Sequence, residues 1–152
     1  MALVVFAKEE LTEEDTILMN GDVFFEEKFL DVVFEEKRSP VLYSDESRIE
    51  EADYRLYYKE DKLVKYGKEL SVEETSGEYI GVARVAGGDI NNIKDRIEEL
   101  IREQKHSLWW ENAIYMLSEK EDIFVKDISN LFWAEVDYIE DYIRIQEYIK
   151  KQ

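Results

Sequence analysis

The sequence predicts one α/β domain built on a mostly parallel sheet. Apolar runs of strand length alternate with segments of helical period, and most connections between strands are long enough to hold a crossover helix. The 152 residues are 45% apolar and 13% aromatic, with only one proline and six glycines. This composition excludes a disordered chain and leaves no flexible linker. A single domain is therefore expected over residues 1–152.

The first part of the chain predicts the order helix, strand, helix. A helix is expected over residues 2–11 and a strand over residues 16–19, which Gly21 and Asp22 end. Apolar side chains spaced among acids indicate an amphipathic helix over residues 26–37, and the Ser39-Pro40 pair marks its end.

The remainder of the chain predicts six strands and three helices. Strands are expected over residues 41–43, 54–58, 63–66, 77–85, 123–128 and 131–136, and helices over residues 90–101, 108–117 and 138–151. Residues 59–62 form the predicted hairpin turn that contributes an antiparallel patch. Residues 90–101 carry isoleucine and leucine at steps of three and four, which is an unambiguous helical period.

The net charge is −17, from 37 acidic and 20 basic residues. An acidic chain repels a phosphate backbone, so nucleic acid is not expected as a partner. A solvated surface rich in glutamate and lysine explains this charge most simply, and mimicry of nucleic acid is a weaker alternative.

The cysteine and histidine counts and the first residues limit the metal sites and the cellular location that can be expected. The chain has no cysteine and one histidine, His106, which excludes a disulfide framework and a thiolate or multi-histidine zinc centre. Residues 1–7 are apolar but lead directly into charged residues, which makes them too short for a signal sequence or a membrane span. A cytoplasmic protein without a membrane partner is therefore expected.

Two aspartates stand where short apolar runs stop, Asp22 and Asp137. In an open α/β sheet, ligands bind beyond the carboxyl ends of the strands, so these acids could converge on one hard cation and the phosphates it carries. Mg²⁺ prefers one or two carboxylates together with phosphates and waters. The alternative is conformational: Asp22 serves the turn that begins with Gly21, and Asp137 caps the last helix together with Glu140.

Five segments of the chain resemble, in order, segments of nucleotidyltransferases. They are LMNGDVFF at residues 18–25, YGK at 66–68, EYIGVA at 78–83, LWWEN at 108–112, and WAEVD at 133–137 followed by Glu140 and Asp141. The chain looks most like the sugar-phosphate and phosphocholine cytidylyltransferases. The resemblance implies a Rossmann-like, three-layer α/β fold of the nucleotide-diphospho-sugar transferase type with a mixed, mostly parallel sheet.

The same resemblance implies a reaction. A nucleotidyl group passes from a nucleoside triphosphate, with CTP favoured, to a small phosphomonoester such as phosphocholine or a sugar phosphate, and pyrophosphate is released. Asp22 and Asp137 would be the Mg²⁺ ligands. Lys68 would contact a phosphate and offset its charge.

The LWWEN segment falls on the acceptor side of the site in this resemblance. Trp109 and Trp110 lie beside Glu111, and aromatic faces next to a carboxylate could hold a quaternary ammonium group. The alternatives are a core position for one tryptophan and an interfacial position for the other, and an ordinary exposed hairpin lysine at Lys68.

One feature of the family has no counterpart in this sequence. Relatives begin with a strand and a glycine-rich loop bearing an arginine and a lysine, which cradles the triphosphate, whereas residues 2–11 here resemble the helix that follows that loop. We therefore expect an N-terminally truncated domain that contains the metal and acceptor half. Exposed strand edges then predict a homo-oligomer or a partner chain. The rival interpretation is a non-catalytic interaction module that keeps the fold.

Overall fold

The computed structural model describes residues 9–152. Within this range the elements are β1 (Thr16–Met19), β2 (Val23–Phe25), α1 (Lys28–Glu35), β3 (Val41–Asp45), β4 (Arg55–Lys59), β5 (Lys62–Gly67), β6 (Gly77–Val85), α2 (Ile90–Arg102), α3 (Glu111–Tyr115), β7 (Phe124–Asp127), β8 (Trp133–Glu135) and α4 (Ile139–Ile149). The helix predicted over residues 2–11 lies largely outside the described residues. The other predicted helices and strands are confirmed, with shifts at their ends.

The main sheet is mixed, and the prediction of a mostly parallel sheet was wrong. Its strand order is β1-β6-β3-β7-β5-β4, and β4 also pairs with β6, which closes the sheet on itself. Only β3 and β7 pair in parallel among the described strands. The connections from β3 to β4 and from β5 to β6 hold only short 3₁₀ turns. Parallel neighbours need a crossover, usually a helix, so short connections of this kind do not build a mostly parallel sheet.

A second, two-stranded sheet joins distant parts of the chain. Strand β2 pairs antiparallel with β8, with Val23 opposite Glu135 and Phe25 opposite Trp133. Strand β2 was not predicted, because three half-buried residues show no alternation long enough to mark a strand. This β2–β8 ribbon carries Asp22 and Asp137 at its end.

Helices cover both faces of the main sheet, because side chains alternate in direction along β3 and β6. One core combines sheet residues with α2 and α3; it includes Leu42, Ala83, Val85, Ile93, Ile97 and Ile114. The other core packs against α1 and β8; it includes Phe29, Val33, Val41, Tyr43, Ile80, Val82 and Trp133.

The local sequence explains the individual elements. The buried side chains of α2 are Ile90, Ile93, Ile97 and Leu100, which follow the predicted helical period. The predicted hairpin turns at Glu60 and Asp61, whose φ angles are 50° and 59°, as a tight turn that matches strand twist requires. None of the helices in the described range is long and apolar enough to cross a membrane.

Candidate functional site

A cleft of about 460 Å³ lies among the β1–β2 connection, the residues flanking β4 and β5, strand β6, helix α3 and the end of β8. All of the residues predicted for the site line it: Asp22, Lys68, Trp109, Trp110, Glu111 and Asp137. It is also lined by residues that the sequence analysis did not single out: Asn20, Asp53, Tyr54, Glu78, Tyr79, Gly81, Tyr115 and Glu135. The fold therefore brings six separate segments to one place.

The β2–β8 ribbon places the two aspartates. The backbone N–H of Val136 donates a 2.9 Å hydrogen bond to the carbonyl of Asp22, so the ribbon continues to the residue before Asp137. Burial raises the pKa of Glu135, and the negative charges of Asp22 and Asp137 raise it further. Three carboxylate residues thus share this end of the ribbon.

The last helix does not use Asp137 as its cap. Tyr138 occupies the N-cap position, and the Asp141 carboxylate accepts hydrogen bonds from the backbone N–H of Tyr138 at 3.0 Å and of Asp137 at 3.3 Å. Because Asp141 satisfies this helix end, the interpretation that paired Asp137 with Glu140 as the cap was wrong. The Asp137 side chain lines the cleft instead.

Lys68 lines the cleft and contacts two partners at its exposed edge. Its Nζ lies 2.6 Å from Oδ2 of Asp53 and 5.0 Å from the ring centroid of Trp109. The ring of Tyr54 lies 5.8 Å from that of Trp109. Lys68 therefore lies between an acid and an aromatic face, as Lys65 of the same hairpin lies between Glu74 and the ring of Tyr57, so the phosphate contact expected of Lys68 stays a prediction.

Asn20 connects the two sides of the cleft. Its backbone N–H donates to the carbonyl of Gly81 at 2.9 Å, and its side-chain oxygen accepts from the indole N–H of Trp110 at 3.0 Å. Gly81 has a φ angle of 75°, and a Cβ there would lie 2.9 Å from Nδ2 of Asn20. Only glycine meets both demands, so Gly81 keeps Asn20 in place under Trp110.

The two tryptophans have different environments. Trp110 packs against the larger core, whereas Trp109 is 49% exposed at the mouth of the cleft. Both precede α3, which begins at Glu111 and is shorter than the predicted helix over residues 108–117. This division matches the alternative of one core and one interfacial tryptophan, and it leaves the exposed face of Trp109 available to a ligand.

Two glutamates of the cleft are buried. Glu111 is 3% exposed, and its Oε2 atom has no hydrogen-bond partner among the described residues. Burial raises the pKa of Glu111, and the charge of Asp22 adds to the increase. Glu78 accepts from the backbone N–H of Asp53 at 2.9 Å, and burial raises its pKa as well. Glu78 is an acid within the apolar run of β6, and this pattern in the sequence could have marked it as a candidate site residue.

The cleft is strongly acidic. Its lining holds six carboxylate residues but one lysine, which already pairs with Asp53. Such a lining attracts cations and repels a polyphosphate that arrives without a counter-ion. No group of three or more histidine, cysteine, aspartate or glutamate residues in residues 9–152 is arranged to hold a metal by itself. The oxygen donors Asp22 and Asp137 suit Mg²⁺, which commonly takes its remaining ligands from substrate and water.

No protein-family model matches the chain, and no curated protein matches it significantly. Solved structures do match. The inositol-1-phosphate CTP transferase from T. maritima aligns with a TM-score of 0.65 and 20% identity over 91% of this chain. The CTP:phosphocholine cytidylyltransferase from Streptococcus pneumoniae aligns with a TM-score of 0.69 and 17% identity over 96% of this chain. A UDP-glucose pyrophosphorylase complexed with UDP-glucose aligns with a TM-score of 0.68 and 11% identity over 98% of this chain.

This chain has the fold of the nucleotidyltransferases. The resemblance read from five sequence segments is therefore confirmed at the level of the fold. The alignments cover 55%, 61% and 61% of the three matched structures, so the chain spans little more than half their length. Within this nucleotidyltransferase-like fold, the roles of the cleft residues stay predictions.

Proposed function

We propose that the chain takes part in nucleotidyl transfer from a nucleoside triphosphate to a phosphomonoester. A phosphate oxygen of the acceptor attacks the α-phosphorus, the bond from that phosphorus to the bridging oxygen breaks, and pyrophosphate leaves with the electron pair. The observation that carries the proposal is convergence: the residues named from the motif resemblance come from four separate segments and line one cleft of a shared fold.

Asp22 and Asp137 are the proposed Mg²⁺ ligands. Their carboxylates are the hard oxygen donors that this ion prefers, and the acidic surroundings favour any divalent cation. When bound, Mg²⁺ would offset the phosphate charge and align the reacting groups. The β2–β8 ribbon contributes by holding the two carboxylates on one rigid element, which makes catalysis a matter of positioning and charge neutralisation.

The acceptor end of the cleft favours a cationic phosphomonoester. Trp109 and Tyr54 offer aromatic faces, and Asp53 and Glu111 supply negative charge. This combination suits the quaternary ammonium group of phosphocholine better than the uncharged sugar of a sugar phosphate. The resemblance to cytidylyltransferases favours CTP as the donor. The ammonium group of Lys68 would offset the negative charge of a phosphate.

The test is pyrophosphate release by the purified chain with Mg²⁺, CTP and a panel of acceptors that includes phosphocholine and sugar 1-phosphates. We expect acceptor-dependent release that falls on the order of 100-fold in Asp137→Asn. Glu140→Gln is the matched control, because Glu140 is an exposed acid three residues after Asp137, in the first turn of α4, and lies outside the cleft. Its release should equal that of the unaltered chain.

Two results would contradict the proposal. Equal release by Asp137→Asn and Glu140→Gln would separate any activity from the predicted metal site. No release by the folded chain with any acceptor would favour the non-catalytic module, in which the fold persists without turnover.

A further inference from the structure

The ammonium group of Lys68 occupies a site suited to a small cation. Asp53 contributes a carboxylate oxygen 2.6 Å from Nζ, and the ring of Trp109 contributes a face whose centroid is 5.0 Å away. A carboxylate beside an aromatic face is the arrangement that attracts ammonium groups in general, whether they belong to the protein or to a ligand. The chain therefore fills this site with its own side chain.

We propose that Lys68 is a tethered occupant, which the cationic group of an incoming acceptor replaces at Asp53 and Trp109. The identity of that acceptor rests on the proposed function. The displaced ammonium group of Lys68 is then available to the phosphate of the same acceptor molecule. Recognition of the cationic end would thus free the one lysine of the cleft to neutralise the anionic end.

The exchange is feasible because the occupied site is open. The side chains of Lys68 and Asp53 are 45% and 70% exposed, and Trp109 is 49% exposed. Exposed ion pairs contribute little stability, so the Lys68–Asp53 pair is easily exchanged for an equivalent pair. A buried and fully satisfied lysine would not be released at such a small cost.

The charge of the cleft favours a second cation. Six acidic residues line it against Lys68 alone, and one of them, the buried Glu111, has a carboxylate oxygen without a hydrogen-bond partner among the described residues. A ligand cation can therefore enter while Lys68 stays nearby without an excess of positive charge. An acceptor without a cationic group has nothing to offer Asp53 and Trp109, so it would leave Lys68 paired. This exchange would discriminate between phosphomonoesters that carry a cationic group and those that do not.

The experiment is a tetramethylammonium titration of the full chain without nucleotide or metal, followed by tryptophan fluorescence and calorimetry. We expect Lys68→Met to bind this probe about two- to five-fold more tightly than the unaltered chain, which is the strength of an exposed ion pair. Lys65→Met is the control for net charge, because Lys65 lies on the same hairpin, pairs with Glu74 and is outside the cleft. It should bind like the unaltered chain, and Trp109→Leu should lose binding.

A second measurement uses the unaltered chain and avoids any folding defect of a variant. The ε-methylene protons of Lys68 should show an upfield ring-current shift, and tetramethylammonium should move them toward the values of a free lysine. A Lys68→Met affinity equal to that of Lys65→Met, unmoved Lys68 resonances, or the absence of any probe binding would each overturn the inference. Because no nucleotide is present, these results do not depend on pyrophosphate release, and the two proposals can fail separately.

Discussion

The carbonyl oxygen of Asp22 accepts a 2.9 Å hydrogen bond from the backbone N–H of Val136, which joins two segments distant in sequence at the edge of the cleft. The register of the ribbon places Glu135 opposite Val23, and side chains two positions apart on a strand share a face, so Glu135 and Asp137 are both directed to the cleft. A slip of one residue would turn both acids away. The predicted metal site therefore depends on the pairing of two very short strands.

Mg²⁺ should stabilise the folded chain through Asp22 and Asp137. A ligand that binds only the folded state at about ten times its Kd adds roughly 1.4 kcal/mol to the free energy of unfolding. We expect a Mg²⁺-dependent rise in Tm that Asp22→Asn and Asp137→Asn each remove. Asp31→Asn on α1 is the control, since Asp31 is exposed and outside the cleft. A rise that survives in both cleft variants would place the ion elsewhere.

Glu111→Gln should stabilise the chain at neutral pH. The charged carboxylate is buried with an unpartnered oxygen, whereas the amide has the same shape and no charge. An unsatisfied buried polar group costs about 1–3 kcal/mol, so a gain of about 1 kcal/mol in the free energy of unfolding is expected in urea at pH 7.5. Glu147→Gln, at an exposed acid of α4 outside the cleft, should change the free energy of unfolding little.

The comparison of Glu111→Gln with its control variant at several pH values should reveal the titration of Glu111. Its pKa is raised in the folded state, so between its unfolded and folded pKa values the folded chain binds more protons. This group therefore favours folding at low pH, and its contribution is lost as the pH rises through the folded pKa. We expect the advantage of Glu111→Gln to be near zero at pH 4 and to grow toward pH 7.5. A constant difference across this range would argue against a raised pKa.

Gly81→Ala should loosen the cleft. The added Cβ would meet Nδ2 of Asn20 at 2.9 Å and Cγ2 of Val23 at 3.0 Å, on a backbone with a φ angle of 75°. We expect a loss of about 1–3 kcal/mol in the free energy of unfolding and a change in Trp110 fluorescence as Asn20 shifts. At Gly88 no atom lies within 4 Å of the added Cβ, so Gly88→Ala should be neutral or slightly stabilising. Equal effects of the two variants would contradict this account.

Trp133→Phe should destabilise the second core. The indole N–H of Trp133 donates a buried 2.7 Å hydrogen bond to Oδ2 of Asp45, and the guanidinium of Arg48 lies 4.6 Å from its ring centroid. Losing the donor leaves a buried carboxylate oxygen unsatisfied. We expect the free energy of unfolding, measured in urea, to fall by about 2–4 kcal/mol. Trp109→Phe is the control, because it makes the same substitution at an exposed position. It should change the free energy of unfolding by less than about 1 kcal/mol.

Local patterns were sufficient for most elements. The isoleucine period predicted α2, and the apolar run over residues 77–85 predicted β6 within its observed bounds. These signals are reliable because burial of one face repeats at the period of the element. Strand β2 was missed, since three residues are too few to show the two-residue alternation of a strand. The direction of the sheet was also missed, because strand direction depends on how the chain returns and not on the strand itself.

The features of the site also separate into those that the sequence predicted and those that depend on the tertiary structure. The sequence by itself determined the residue types that could serve Mg²⁺ and an acceptor, because the chemistry of Asp22, Asp137, Lys68 and the tryptophan pair is legible in short motifs. Only the tertiary structure decided that Asp53 pairs with Lys68, that Glu111 is buried and that Gly81 fits beneath Asn20. These relationships arise where β4 and β6 pair and α3 packs on the sheet. Contacts between segments distant in sequence depend on packing, which no local pattern encodes.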